Sequence, residues 1–137
     1  MPAFTALTIN DGQATPVAHT YSQKTLIGTE ATYVDRASGI TVGFPTVVVN
    51  SMPPTKTSRL TKVRMKVVLP VLEVVNASTY NGITPAPTKA YDLTFDAMFF
   101  LPERCTLSQR KDILAYARNL LANALTTALV ETQETIY

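Results

Sequence analysis

The chain reads as an α+β domain, with strands over its first two-thirds and a pair of helices at its end. The apolar pattern carries that expectation. Up to about residue 100, several segments alternate apolar with polar residues, the period of a strand with one buried face. After Thr106, Ile113, Leu114, Ala117, Leu120, Leu121 and Ala124 recur at the spacing of an amphipathic helix. A length of 137 residues without internal repeats fits one domain over 1–137.

The elements follow in order. Residues 4–9 (FTALTI) form a short strand, and Asn10-Asp11-Gly12 supplies a hairpin turn because Asp-Gly tolerates positive φ. Residues 13–19 are the returning strand, with Pro16 marking an edge or a bulge. Residues 30–35 (EATYVD) form a third strand, and Ala37-Ser38-Gly39 a turn. Residues 46–50 (TVVVN) are β-branched and strand-like, whereas 52–58 (MPPTKTS) form a loop, since adjacent prolines supply no ladder donors. The longest strand covers 60–75, with Pro70 at a bulge or an edge. A loop over 76–87 carries Asn81-Gly82, Pro85 and Pro87. The strand over 89–100 places Tyr91, Leu93, Phe95 and Ala97 on one face and Asp92, Thr94 and Asp96 on the other. Thr106 and Gln109 have the form of a capping box at the helix start. A break near Asn123 precedes a second helix over about 125–132. Helices that come late and as a pair can cover their own sheet or a neighbour's.

Composition removes several function classes. Hydrophobic residues make up 46% of the chain and charged ones 16%, below the usual level of about 25%, so some surface is expected to be covered by copies or partners. One cysteine, Cys105, excludes an internal disulfide framework and cysteine-cluster metal sites, and one histidine, His19, excludes multi-histidine zinc sites. No apolar run approaches the roughly 20 residues of a membrane span, and the first residues lack a secretory pattern. A lone thiol fits synthesis in a reducing cytoplasm. His19 reads as a surface residue on an edge strand, and Cys105 as a small residue before a helix. Asp92 and Asp96 lie about 13 Å apart along a strand, too far for a carboxylate pair. With five glycines there is no phosphate-cradling loop. No catalytic residues, cofactor, metal or membrane partner are therefore expected.

Charge points elsewhere. Residues 36–72 carry Arg36, Lys56, Arg59, Lys62, Arg64 and Lys66 and no acid, between flanks that are each net acidic. That is the footprint of a sheet face that meets a polyanion, and equally of an edge strand protected by cations. Lys62, Arg64 and Lys66 alternate with Val63, Met65 and Val67, placing three cations on one face at intervals of about 6–7 Å. That interval is close to the spacing of successive phosphates on a nucleic-acid strand. In the obvious register Thr46, Val48 and Asn50 share that face on one side, while Asp92 and Thr94 offer acceptors on the other. Small polar neighbours beside cations suit RNA stem-loops, whose unpaired bases can be read. A clear aromatic stacking platform is missing, since Tyr91 and Phe95 alternate to the opposite face.

The order and spacing of these motifs resemble those of coat proteins of the single-stranded RNA bacteriophages, the leviviruses. The similarity runs through FTALTINDG (4–12), SRLTKVRMKVVLP (58–70), AYDLTF (90–95), RNLLANAL (118–125) and the terminal Ile136-Tyr137. The resemblance implies an N-terminal β-hairpin, a five-stranded antiparallel sheet and two C-terminal helices that lie over the partner's sheet. An obligate, interlocked homodimer follows, which builds an icosahedral shell around single-stranded viral RNA. The protein would thus reside in the virion after synthesis in the cytoplasm of a bacterial host. It implies further that an RNA hairpin is bound as translational repressor and packaging signal, and that the loop over 76–87 lies near the symmetry axes. Lys62, Arg64 and Lys66 fall where the family places RNA-contacting side chains, with Thr46, Val48, Asn50, Asp92 and Thr94 on the adjoining strands. Two positions depart from the pattern. Ala90 takes the inward place where the family often has a tyrosine. Arg64 stands where a smaller residue helps to form an adenine pocket in some members. Two other readings stay open at this level: a non-viral α+β RNA-binding module, and a small enzyme built on Cys105.

Overall fold

The computed structural model describes residues 2–73 and 85–136. The expected strand residues Val74 and Val75, the Asn81-Gly82 turn and the terminal Tyr137 lie outside them. The chain divides into two compact units, Met1–Phe100 and Leu101–Tyr137.

The first unit is built on an antiparallel sheet whose strands follow chain order: β1 (Leu7–Asn10), β2 (Ala18–Ile27), β3 (Glu30–Val34), β4 (Thr46–Met52), β5 (Leu60–Leu72) and β6 (Lys89–Pro102). Six strands replace the expected five, because the N-terminal hairpin is continuous with the sheet: β2 pairs with both β1 and β3. The returning strand starts at Ala18 rather than at residue 13. Asp11 is the reason. Its backbone N–H donates to Val17 O (3.0 Å), and its carboxylate accepts from the N–H groups of Val17 (2.9 Å) and Gln13 (3.3 Å). A side chain that closes the loop in this way competes with the ladder, and Pro16 lacks an N–H to offer it. β2 then runs to Ile27, with Lys24 as an extra residue at a bulge between Gln23 and Thr25. Gly28, at φ 57°, takes the first of two loop positions before Glu30, a conformation that L side chains adopt at a cost.

The β3–β4 connection holds the expected turn, with Gly39 at φ 70° and its N–H donating to Arg36 O. A short 3-10 turn over Thr41–Gly43 follows. Gly43 is buried there, and a Cβ on it would stand 2.9 Å from Leu72 Cδ1, so the turn packs on β5 by having no side chain. On β5, pairing with β4 ends at Val68, so Pro70 lies beyond the last β4 pair, where a missing N–H costs that ladder nothing.

The core lies on one face. Tyr21, Tyr33 and Val47 are buried there against Phe4, Leu7, Ala31, Val49 and Val67. Phe4 packs on Tyr33 with ring centroids 5.2 Å apart, and Gln23 Nε2 donates to Phe4 O, tying the N-terminal segment over the sheet. At the rim of this face His19 stands between two carboxylates. Its Nδ1 is 3.2 Å from Asp35 and its Nε2 is 3.3 Å from Asp11. A carboxylate only accepts, so both ring nitrogens donate when the ring is doubly protonated. The expected surface histidine is therefore a clasp that joins the hairpin loop to the end of β3, with Asp35 itself buried.

The second unit holds the helices α1 (Leu107–Leu121) and α2 (Ala124–Thr127). The capping box forms as expected: the Gln109 N–H donates to Thr106 Oγ1 (3.3 Å), and the Thr106 N–H donates to Gln109 Oε1 (2.9 Å). Asn123 is extended at φ −75°, ψ 144° and accepts from the Leu125 N–H, so one residue ends α1, caps α2 and turns the helix axis by 51°. α2 is shorter than expected as an α-helix. It continues as a π-helical turn over Ala128–Thr132, and Gln133 ends it at φ 54°.

Two outcomes follow from these contacts. Thr106→Ala removes one half of the capping box and lowers stability by about 1 kcal/mol, read from chemical unfolding curves. The two carboxylates hold the His19 pKa above its ordinary 6.5. Its contribution is therefore complete below 6.5 and is lost as pH rises through the higher folded-state value. Backbone N–H donors and His19 hold Asp11 below 3.8, so its contribution is lost only as pH falls beneath that value. The thermal midpoint of the wild type should fall as pH rises above 6.5, and that of His19→Gln should fall less. Identical slopes would show that the clasp does not contribute.

Candidate nucleic-acid interface

The β4–β5 register decides which side chains share the face opposite the core. Thr46 pairs with Val68, Val48 with Lys66, Asn50 with Arg64 and Met52 with Lys62. All six of the predicted residues on these strands therefore stand on one face. On β6, Asp96 meets Arg64 and Phe100 meets Lys62, so alternation puts Asp92 and Thr94 there as well. The Glu73 N–H donates to Thr88 O at the other end, which makes the β5–β6 pair antiparallel. The structure thus brings together all eight predicted residues.

The face also holds groups the sequence reading passed over. β3 contributes Glu30, opposite Asn50, and Thr32, opposite Val48. Asn50 donates from Nδ2 to Glu30 Oε2 (3.1 Å) and accepts at Oδ1 from Thr29 Oγ1 (3.0 Å). One donor and one acceptor position of Asn50 are thereby occupied, and one of each is left for a ligand. Arg64 donates from Nε to Asp96 Oδ1 (2.9 Å) and from one terminal nitrogen to Asp96 Oδ2, a bidentate pair. The guanidinium holds the Asp96 carboxyl below its usual range, and the carboxylate raises Arg64 in turn. Asp92 accepts from Lys89 Nζ at 2.7 Å.

The cationic comb is therefore balanced. Lys62, Arg64 and Lys66 share their face with Glu30, Asp92 and Asp96, and Arg64 is matched by a direct partner. Among the described residues, Lys62 and Lys66 stand in no ion pair. Lys62 Nζ sits 6.0 Å from the centroid of the Phe100 ring, which is exposed on this face. Phe100 is an aromatic surface beside a cation, the combination that accepts a stacked base. Counting in twos from Asp96 reaches Phe100, so the signal was present in the sequence. Cys105 is partly exposed, and among the described residues no group of three or more His, Cys, Asp or Glu side chains could hold a metal ion.

Residues 2–137 match the sequence profile of a family described as levivirus coat protein. A search of curated proteins returns no match. Among solved structures, the chain is similar to the virus-like particle of bacteriophage ESE058. The two share 30% identity at a TM-score of 0.90, over 99% of this chain and 100% of that one. It is also similar to the virus-like particle of bacteriophage NT-214, with 29% identity and a TM-score of 0.84, over 97% and 98% of the two chains. The bacteriophage GA capsid protein shares the fold, with 17% identity and a TM-score of 0.72 over 98% of each chain.

Proposed function

The chain belongs to the levivirus coat protein family, and from that membership we propose that it is a structural protein whose subunits pair and close into an icosahedral shell around single-stranded RNA. The observation that carries the reading is what each unit leaves uncovered. On β6, Tyr91, Leu93 and Phe95 expose apolar area on the core side of the sheet. On α1, Ile113, Leu114, Leu120 and Leu121 expose an apolar stripe. Two apolar surfaces of this kind mark sites of association rather than of solvation. β6 is also the terminal strand of the sheet and has 14 residues, a long edge of unpaired donors and acceptors that invites a second strand. Helices laid over a partner's sheet, with the two β6 edges joined, would cover both surfaces and the edge at once. The units over 1–137 then act as one coat-protein domain.

The opposite face, with Thr46, Val48, Asn50, Lys62, Arg64, Lys66, Asp92 and Thr94, is the surface we assign to RNA. Lys62 and Lys66 contribute ammonium groups that stand in no ion pair among the described residues, and Phe100 a stacking surface. On this reading the face also holds an RNA hairpin that represses translation and marks the genome for packaging. The protein is then made in the cytoplasm of a bacterial host and resides in the virion. The comb and the long exposed edge serve binding and assembly, not catalysis.

Expression of the protein alone in bacteria, followed by electron microscopy and assay of nuclease-protected nucleic acid, tests the assignment. Uniform hollow particles that hold protected RNA are expected. A small soluble species without RNA would overturn the shell. Substituting both Lys62 and Lys66 with Ala should flatten the dependence of log affinity on log salt by about 0.7 for each single-stranded phosphate that is no longer neutralised. An unchanged slope would show that RNA lies elsewhere.

A further inference from the structure

The Arg64–Asp96 pair has a geometry that bears on what the RNA face selects. The carboxylate takes the side of the guanidinium, meeting Nε and one terminal nitrogen. An arginine has five N–H donors in a planar fork, so three remain. They lie on the two terminal nitrogens, and two of them, one from each, run parallel along the end of the fork that Asp96 leaves open. The charge is matched, while the plane and direction of the fork are set. A phosphate fits such a fork too, but with its charge already matched by Asp96 the guanidinium adds little net attraction for a polyanion. A base edge needs what Arg64 has, two parallel donors in a fixed plane, and guanine offers two adjacent acceptors in O6 and N7. Lys62 and Lys66 flank Arg64 on the same strand face and outside any ion pair among the described residues, so phosphate binding falls to them.

We propose that Asp96 is a positioning residue that withholds Arg64 from the phosphates and presents its outer edge to an unpaired guanine, making this position a determinant of RNA sequence preference. This rests on the assignment of the face to RNA. Asp96 lies on β6 across from Arg64, and Lys66 is the other cation near enough to favour its ionised form. The pair is half-exposed, so a nucleobase reaches it without movement of the sheet.

The test uses the full-length protein freed of co-purifying RNA. The probes are hairpins with the same stem, one with an all-adenine loop and a series with guanine substituted singly along the loop. The wild type is expected to prefer the best guanine-bearing hairpin about tenfold. Arg64→Ala and Arg64→Lys should each abolish that preference, since a lysine cannot offer the planar fork, while Arg64→Ala leaves the salt slope unchanged. Asp96→Asn keeps the shape and removes the charge. It should lose most of the preference, bind the adenine hairpin more tightly and steepen the salt slope by about 0.7, one more single-stranded phosphate. A purely structural salt bridge would move neither preference nor slope. A wild type without guanine preference, or an Asp96→Asn variant that retains both values, overturns the proposal. The Lys62/Lys66 double variant separates the two failures. A flattened slope there, with Asp96→Asn unchanged, refutes only the role of Asp96. An unchanged slope there refutes the RNA face itself.

Discussion

The β4–β5 register is the constraint on which the rest of the structure depends. It pairs Val47 with Val67 on the core side and Asn50 with Arg64 on the other. Side chains in a strand alternate faces with a period of two, so a slip of one residue would carry Lys62, Arg64 and Lys66 into the core and Val67 out to water. Burying three cations among apolar side chains is far more costly than losing a few ladder bonds. The buried Tyr33 and Val47 therefore determine, through the register, where the polar face lies. Core packing and the site are consequences of one alignment.

That alignment is why so much of the site was legible beforehand. Val63, Met65 and Val67 between three cations allow one assignment of faces, and Thr46, Val48 and Asn50 follow from the simplest pairing. The capping box at Thr106 and the break at Asn123 were legible because each is decided within three residues. What escaped was non-local or competitive. β2 runs through AHTYSQKTLI, whose alternation is broken by the bulge at Lys24, so no continuous period marks it. The hairpin loop widened because the Asp11 carboxylate displaced the ladder at two backbone donors. His19 gave no sign of its role, since Asp35 is sixteen residues away and meets it only through the sheet. The matching acids, Glu30 and Asp96, come from different strands, and block-wise charge along the chain hides their approach to the comb.

The core of the first unit is modest. Tyr21, Tyr33 and Val47 are its buried residues, with Val34 buried on the opposite face beside Thr46, and among the described residues no side chain is wholly removed from water. A chain of 137 residues is long enough to bury about two-thirds of its unfolded surface in a core of its own. The difference lies in where the apolar residues stand: on β6 and α1 they face outward. The low charged fraction of the chain and its exposed apolar stripes are thus two views of one property. Surface that would otherwise carry solubilising charge is reserved for association with other chains.

Strand β6 carries this division along a single backbone. Tyr91, Leu93 and Phe95 belong to the apolar side, and Asp92, Thr94 and Asp96 to the polar one. Because neighbouring residues point to opposite faces, a substitution at an even position leaves the odd positions in place. On the proposed assignment of the polar face to RNA, two pressures of different origin, one to keep fitting a copy of the same chain and one to follow a changing RNA, act on interleaved residues with little interference. A lineage can drift in what it recognises while remaining constant in how it associates, and the pleat of one strand is what keeps the two histories apart.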